Sequence, residues 1–268
     1  MSNTKLSVVI SSCDSYEDTW YPFMCQLCTC WPESRNYPIY LSTESKTFTF
    51  PNYNILTPLS GGPIYNVWSK RLAELLKYVE SDYILFFLDD FLLMERVDNN
   101  RFEMMYAYMC SSQRNGYMCL FNDKKVLDPD RYKALKRATD IPELYLCSRK
   151  MPFRITTQVG LWKKEFLLSL LRDHESAWLF ETRATWRSMF SRMYVYSVDK
   201  SVFSYPIGGY IWGGKCLEEY IRLFDKDILS ASIKKRGILV DGNSRTYSPT
   251  PHNLKYYYHK LLSALPQW

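Results

Sequence analysis

Several absences narrow the field before any motif is read. No uninterrupted apolar run among the 268 residues approaches the ~20 needed to cross a bilayer. The opening MSNTKLSVVISS passes into a strand-like pattern with no long apolar signal segment before it. Histidine is scarce, and His174, His252 and His259 have no ligand spacing. Cys25, Cys28 and Cys30 cluster within a helical pattern, but no second cysteine pair or nearby histidine completes a tetrahedral zinc set. There is no internal repeat, no low-complexity segment and no clear linker. These features lead us to expect one compact cytoplasmic domain with reduced cysteines.

What is present fits that expectation. Hydrophobic residues make up 47% and charged residues 23%, the proportions of a globular protein long enough to bury a substantial core. The net charge of +6 favours anionic partners such as nucleotide diphosphates or lipid phosphates, or else reflects a mildly basic solvated surface. Lysine and arginine are dispersed rather than clustered, which argues against nucleic acid. The 22 Tyr, 14 Phe and 8 Trp suit sugar-stacking surfaces and dense cores equally.

The first half alternates strand and helix signals. Leu6 to Ser11 (LSVVIS) reads as a buried strand, followed by the polar turn Ser12-Cys13-Asp14-Ser15. Trp20, Met24, Leu27, Cys28 and Trp31 recur at helical spacing. Tyr37 to Leu41 is a second strand ending in Ser42-Thr43-Glu44, and Asn54 to Leu56 a third. Ser60-Gly61-Gly62-Pro63 is expected to open a helix carrying Trp68, Leu72, Leu75, Leu76 and Val79 on one face. Tyr83 to Leu88 (YILFFL) is apolar throughout, as in a strand covered on both faces, and stops abruptly at Asp89-Asp90. This alternation predicts an α/β fold with a mostly parallel sheet flanked by helices. Further on, the pattern predicts a helix near Arg101 to Cys110, a strand near Tyr117 to Phe121 and an irregular loop from Asn122 to Arg149. It then predicts a strand over Pro152 to Trp162, a helix to Leu171, another helix around Trp186 and a strand over Tyr194 to Val198. An amphipathic tail helix passes through Tyr257, Leu261 and Leu262.

Asp89-Asp90 is the sharpest chemical feature. Ligands of open α/β sheets bind at the carboxyl ends of strands, where this pair stands. A hard divalent cation would relieve the repulsion of adjacent carboxylates; alternatively one aspartate caps the next segment and the other is solvated.

The succession SVVISSCDS, YPIYLSTES, a glycine-opened helix and YILFFLDDFLL resembles the nucleotide-binding half of GT-A-fold glycosyltransferases, bacterial enzymes of surface-polysaccharide assembly in particular. The resemblance covers Leu6 to Leu93. It implies a Rossmann-like GT-A sheet, residues 1–95 binding a nucleotide-diphosphate sugar and 96–268 facing a glycan or lipid-linked glycan acceptor. It also implies Mn²⁺ or Mg²⁺ at an acidic motif, here LDDF rather than Asp-x-Asp, with Asp90 as metal ligand and Asp89 facing ribose or metal. Ser11 to Asp14, and Thr43 with Glu44, are expected beside base and ribose, or are simple turn formers. Gly61 and Gly62 would turn a helix N-terminus toward the diphosphate, with Lys70 and Arg71 one turn on. Glu181, in Trp178-Leu179-Phe180-Glu181, is the candidate base for an inverting transfer, with Glu175 and Asp173 as weaker choices; an acid in a helix first turn is also favoured by the helix dipole. Trp178 would stack on a sugar. Gln158 would read sugar hydroxyls, with Arg154 and Thr157 beside it.

Gly208 to Lys215 (GGYIWGGK) is not a Walker A loop, because the spacing differs and no Ser or Thr follows Lys215. It reads either as a loop over bound donor with Lys215 reaching the diphosphate, or as a structural turn. The basic and aromatic tail Lys255 to Leu262 is a candidate for peripheral contact with the inner face of a membrane, or an ordinary packing helix. Two rival functions remain: a nucleotidyltransferase acting on sugar phosphates, although SSCDSYED is acidic where a glycine-rich basic signature is usual, and a non-catalytic nucleotide-sugar-binding protein.

Overall fold

The computed structural model describes residues 6–122 and 135–240. A nine-stranded sheet forms its centre, in the order β3-β2-β1-β4-β8-β5-β9-β7-β6. The strands are β1 (Leu6–Ser11), β2 (Ile39–Leu41), β3 (Ile55–Leu56), β4 (Tyr83–Leu88), β5 (Asn115–Cys119), β6 (Lys136–Ala138), β7 (Leu144–Cys147), β8 (Gly160–Lys163) and β9 (Tyr194–Val198). The helices that cover them are α1 (Glu17–Cys30), α2 (Trp68–Tyr78), α3 (Asn99–Cys110), α4 (Lys164–Leu170) and α5 (Ala177–Met189). A small second sheet of β10 (Ile211–Trp212), β11 (Lys215–Leu217) and β12 (Ile238–Leu239) follows, with helices α6 (Glu218–Ile221) and α7 (Lys226–Arg236).

The two apolar strands explain the layering. Side chains alternate faces along a strand, so an all-apolar strand needs cover on both sides. Leu6, Val8 and Ile10 of β1, with Tyr83, Leu85 and Phe87 of β4, face a core built by Trp20, Phe23, Met24 and Leu27 of α1 and by Phe102, Met105 and Met109 of α3. Val9, Ile84 and Phe86 face the opposite core, closed by Leu72, Leu75 and Leu76 of α2, Phe166 and Leu170 of α4, and Phe180 and Ala184 of α5.

The expected parallel pairing holds for β1, β2, β3 and β4. Beyond β4 the sheet is mixed. β8 runs antiparallel to both of its neighbours, β4 and β5, while β5 and β9 are parallel. The chain leaves β1 toward β2 and β3, then returns to place β4 on the other side of β1. The carboxyl ends of β1 and β4 therefore flank the point where strand order reverses, the crevice in which open α/β sheets hold ligands.

Three expectations are corrected. Gly61-Gly62 does not open a helix: it closes a turn in which Gly62 N–H donates to the Leu59 carbonyl, and α2 begins only at Trp68. The strand expected over Pro152 to Trp162 is confined to Gly160–Lys163. Residues 151–159 form successive turns, held by Thr185 Oγ1 and Glu181, which take the backbone N–H groups of Ile155 and Thr157. The stretch expected to be an irregular loop contains the antiparallel pair β6/β7. Helix α7 lacks a strong apolar stripe and carried no sequence signal; it is capped by Asp225, which accepts from Asp227 N–H at 2.9 Å. The tail Lys255 to Leu262, with His252 and His259, lies outside the described residues.

Candidate active site

A cavity of about 620 Å³ opens over the β1/β4 crevice. That size suits a small organic ligand or cofactor. Its floor is the ends of the two strands: Ser11 of β1 with Ser12 and Cys13 after it, and Leu88 of β4 with Asp89, Asp90 and Phe91 after it.

The floor is tightly wired. Ser12 Oγ donates to Asp89 Oδ2 and accepts from Trp20 Nε1 at 2.7 Å. Trp68 Nε1 donates to Ser11 Oγ at 2.9 Å. Arg71 is buried; its Nε donates to the Ser12 carbonyl at 3.0 Å and its Nη1 to Glu44 Oε1 at 2.8 Å. Burial is the main cause that pushes the Asp89 carboxyl up to about 7, against the hydrogen bonds from Ser12 and Thr19. Burial and then the neighbouring Asp89 charge hold Asp90 well above the ordinary carboxylate value. Two crowded acids of this kind are a hard oxygen donor set that a divalent cation would favour in its ionised form. Among the described residues no cluster of three or more His, Cys, Asp or Glu is placed to hold a metal. A cation on Asp89 and Asp90 would therefore take its remaining ligands from phosphate and water, the usual manner of Mg²⁺.

The far wall comes from the second half of the chain. Glu181 is buried on the inner side of α5, and its Oε1 accepts from Thr157 N at 2.8 Å and Thr157 Oγ1 at 2.9 Å. Gln158 Oε1 accepts from Tyr205 OH at 2.8 Å. Tyr205 is itself stacked between Phe91 and Phe121, with ring centroids 4.4 and 4.2 Å away. Thr157, Gln158, Trp178 and Glu181 all line the cavity. At its mouth Trp178 and Trp212 meet edge to face, centroids 6.3 Å apart.

The cover is the segment Gly208 to Gly213, of which Gly208, Ile211, Trp212 and Gly213 line the cavity. Gly209 ties it to the acidic pair. Its φ is +82°, and a Cβ built there would lie 2.1 Å from Asp90 Oδ2. Tyr210 N–H donates to the Asp90 carbonyl at 3.2 Å. Only glycine gives the Asp90 carboxylate that space.

Several sequence-predicted residues are placed elsewhere. The Asp14 carboxylate is occupied by the N–H groups of Glu44 and Ser45 and by Ser45 Oγ, at 2.6 to 2.9 Å, so it stitches the β1 turn to the β2 turn. Burial pulls the Asp14 carboxyl up, but these bonds outweigh it and hold it below its ordinary value. Glu44 is likewise spent, on Arg71 and on Asp14 N–H. Thr43 is fully buried and does not line the cavity. Gly61 and Gly62 stand outside it, as does Lys70, whose ammonium lies over the Tyr65 ring at 5.6 Å. One residue on, Arg71 points inward, because adjacent helix positions are turned by about 100°. Lys215 is exposed in β11, opposite Trp212, and does not line the cavity. Arg154 is buried but clamps the end of α5 through the Ser188 and Met193 carbonyls. Glu175 is paired with Arg187 at 2.7 Å.

Tyr16, Trp68 and Trp212 line the cavity without having been singled out. Arg236 of α7 also acts on it. The guanidinium is bonded to Asp18 at 2.6 Å and lies 4.1 Å from the Tyr16 ring, and its charge opposes the upward shifts of both Asp89 and Asp90. Trp68 follows the helical apolar period, so its period gave a packing signal alone; nothing local marks Arg236.

No protein-family model and no curated protein matches the chain. Solved structures resemble it distantly. S. aureus TarS 1-349 in complex with UDP shares 12% identity at a TM-score of 0.47, over 75% of this chain and 60% of that one. The chain thus spans less than two thirds of that TarS fragment. Glucosyl-3-phosphoglycerate synthase from Mycobacterium tuberculosis, in complex with Mn²⁺ and UDP-glucose, shares 10% at 0.44, over 90% of this chain and 82% of that one. The bifunctional IspDF from Campylobacter jejuni shares 14% at 0.36, over 68% and 46%. At these scores the cavity is read from its own geometry.

Proposed function

We propose that the protein is a GT-A-type glycosyltransferase that moves a sugar from a nucleotide-diphosphate donor to a hydroxyl of a glycan or lipid-linked glycan. One observation carries this reading. The buried carboxylate of Asp89 and the half-buried one of Asp90 form the floor of a cavity at the strand-order reversal, and a third, Glu181, enters from the opposite wall. The half of the chain up to residue 95 binds the donor, and the wall built by Thr157, Gln158, Trp178 and Glu181 faces the acceptor. Trp68, Tyr16 and the β1 turn hold the nucleoside, while Arg71, paired with Glu44, lines that side. Asp90, helped by Asp89, holds Mn²⁺ or Mg²⁺. The cation, when bound, neutralises charge that develops on the leaving diphosphate.

The acceptor hydroxyl attacks the anomeric carbon as the bond from that carbon to the diphosphate oxygen breaks. Its proton passes to Glu181, which Thr157 holds in place through two hydrogen bonds to one oxygen. Attack from the face opposite the leaving group inverts the anomeric centre. Gln158, oriented by Tyr205, reads a sugar hydroxyl, and the edge-to-face pair Trp178 and Trp212 supplies apolar ring faces for the acceptor.

The test is a thermal-shift panel of nucleoside diphosphates with and without Mn²⁺. Metal-dependent stabilisation by one of them is expected, and Asp90→Ala should remove it. No stabilisation across the whole panel would refute the reading.

A further inference from the structure

Helix α5 is apolar on the side turned away from the protein. Phe180, Ala184, Thr185 and Ser188 are buried beneath it, whereas Trp178, Leu179, Trp186 and Phe190 are exposed by 60, 44, 50 and 71%. At about 100° per residue, these four side chains, the last at the helix C-cap, fall within an arc of roughly 120°. Trp186 and Phe190 pack on each other, with centroids 5.1 Å apart. Large apolar side chains exposed together on one side of a helix mark an interaction site.

Charge and area select the partner. Arg183 and Arg187 edge the arc, and both reach the single buried carboxylate of Glu175, so two guanidiniums share one negative charge. Arg192 follows directly, exposed. Between 177 and 192 the only acidic residue is Glu181, which is turned inward to Thr157. A second copy across a two-fold axis would bring these arginines against each other. The four side chains offer on the order of 400 Å², about half of what each partner contributes to a stable protein interface. An anionic lipid surface meets both conditions, because tryptophan, phenylalanine and leucine insert at the headgroup boundary while arginines meet the phosphates.

We propose that α5 seats the protein on an anionic phospholipid surface through Trp178, Leu179, Trp186 and Phe190. Because Trp178 also lines the cavity, this contact sets the cavity mouth at the bilayer. The inference does not depend on the transfer chemistry, and its readout is lipid binding alone.

The full chain is sedimented with vesicles of phosphatidylcholine and phosphatidylglycerol, and with vesicles of phosphatidylcholine only. Binding is expected to the first and about tenfold weaker to the second. The double variant Trp186→Ser, Phe190→Ser touches neither core nor cavity. It should keep its circular dichroism and melting temperature, yet lose about tenfold in vesicle affinity. Arg183→Glu should weaken binding to anionic vesicles only. The proposal is overturned if wild type binds neither vesicle, or if the double variant binds as well as wild type, which would assign the lipid contact to another segment. It is equally overturned if light scattering shows a dimer that the double variant abolishes while vesicle binding is absent.

Discussion

Replacing Gly209 by alanine should disable the acidic centre without altering an acidic residue. The neighbouring Gly208 supplies the comparison. Both have positive φ, +76° and +82°, so a side chain at either costs about 1–2 kcal/mol of backbone strain. For a chain of this size that lowers Tm by about 2–8 °C in each variant. They differ in what the new methyl group meets. At Gly208 nothing lies within 4 Å, whereas at Gly209 the Cβ lies 2.1 Å from Asp90 Oδ2 and 2.4 Å from its Cγ. Ordinary contact begins near 3.4 Å, so the Asp90 carboxylate must retreat by more than 1 Å. A displacement of that order in a reacting constellation costs about 100-fold. Donor turnover in Mn²⁺ should therefore be slower in Gly209→Ala than in Gly208→Ala by one to two orders of magnitude. Equal rates, within about threefold, would refute the assignment of Asp90 as the group that Gly209 positions.

Other expectations follow from the same geometry. Glu181→Gln should retain metal-dependent nucleotide binding but lose about 10²–10⁴-fold in kcat for transfer, read by donor turnover with acceptor present. Arg71→Ala removes the hydrogen bonds of a buried guanidinium to Glu44 and to the Ser12 and Tyr65 carbonyls and should cost about 1–3 kcal/mol in urea unfolding, whereas Lys70→Ala should stay within about 0.5 kcal/mol. Burial raises the Asp18 carboxyl, but the bonds from Arg236 and Lys235 outweigh it and hold it below its ordinary value. Its contribution is then fully present above the unfolded value near 4 and is lost as pH falls through the lower folded value. Asp18→Asn should accordingly flatten the acid limb of a plot of Tm against pH; an unchanged limb would remove Asp18 from the account.

The nucleotide-side framework was legible because it is written in local pattern. YILFFL must be covered on both faces, and its abrupt end in Asp89-Asp90 marks a strand carboxyl end whatever packs around it. Leu6–Ser11 and the helix carrying Trp186 follow from the same periodicities. Glu181 and Gln158 were placed by resemblance, and the fold brings both to the cavity wall.

Side-chain assignment was less legible, since a polar residue near a strand end has two uses that sequence does not distinguish. Asp14 and Glu44 stand at the expected edge, yet backbone N–H groups and Arg71 have claimed their carboxylates, so they build the turns instead of facing the cavity. Lys70 and Arg71 are adjacent and alike in charge, and only the rotation of α2 against the sheet sends one outward and the other in.

Sequence by itself determined the apolar strands, their helical cover and the position of the aspartate pair, because those depend on periodicity and on where an apolar run stops. Tertiary structure alone decided that Gly209 makes room for Asp90, that Arg236 reaches the same centre from more than 140 residues away, and that α5 turns aromatic side chains to the outside. Each of these is a contact or an exposure between segments distant in the chain, and no local period encodes which surfaces meet.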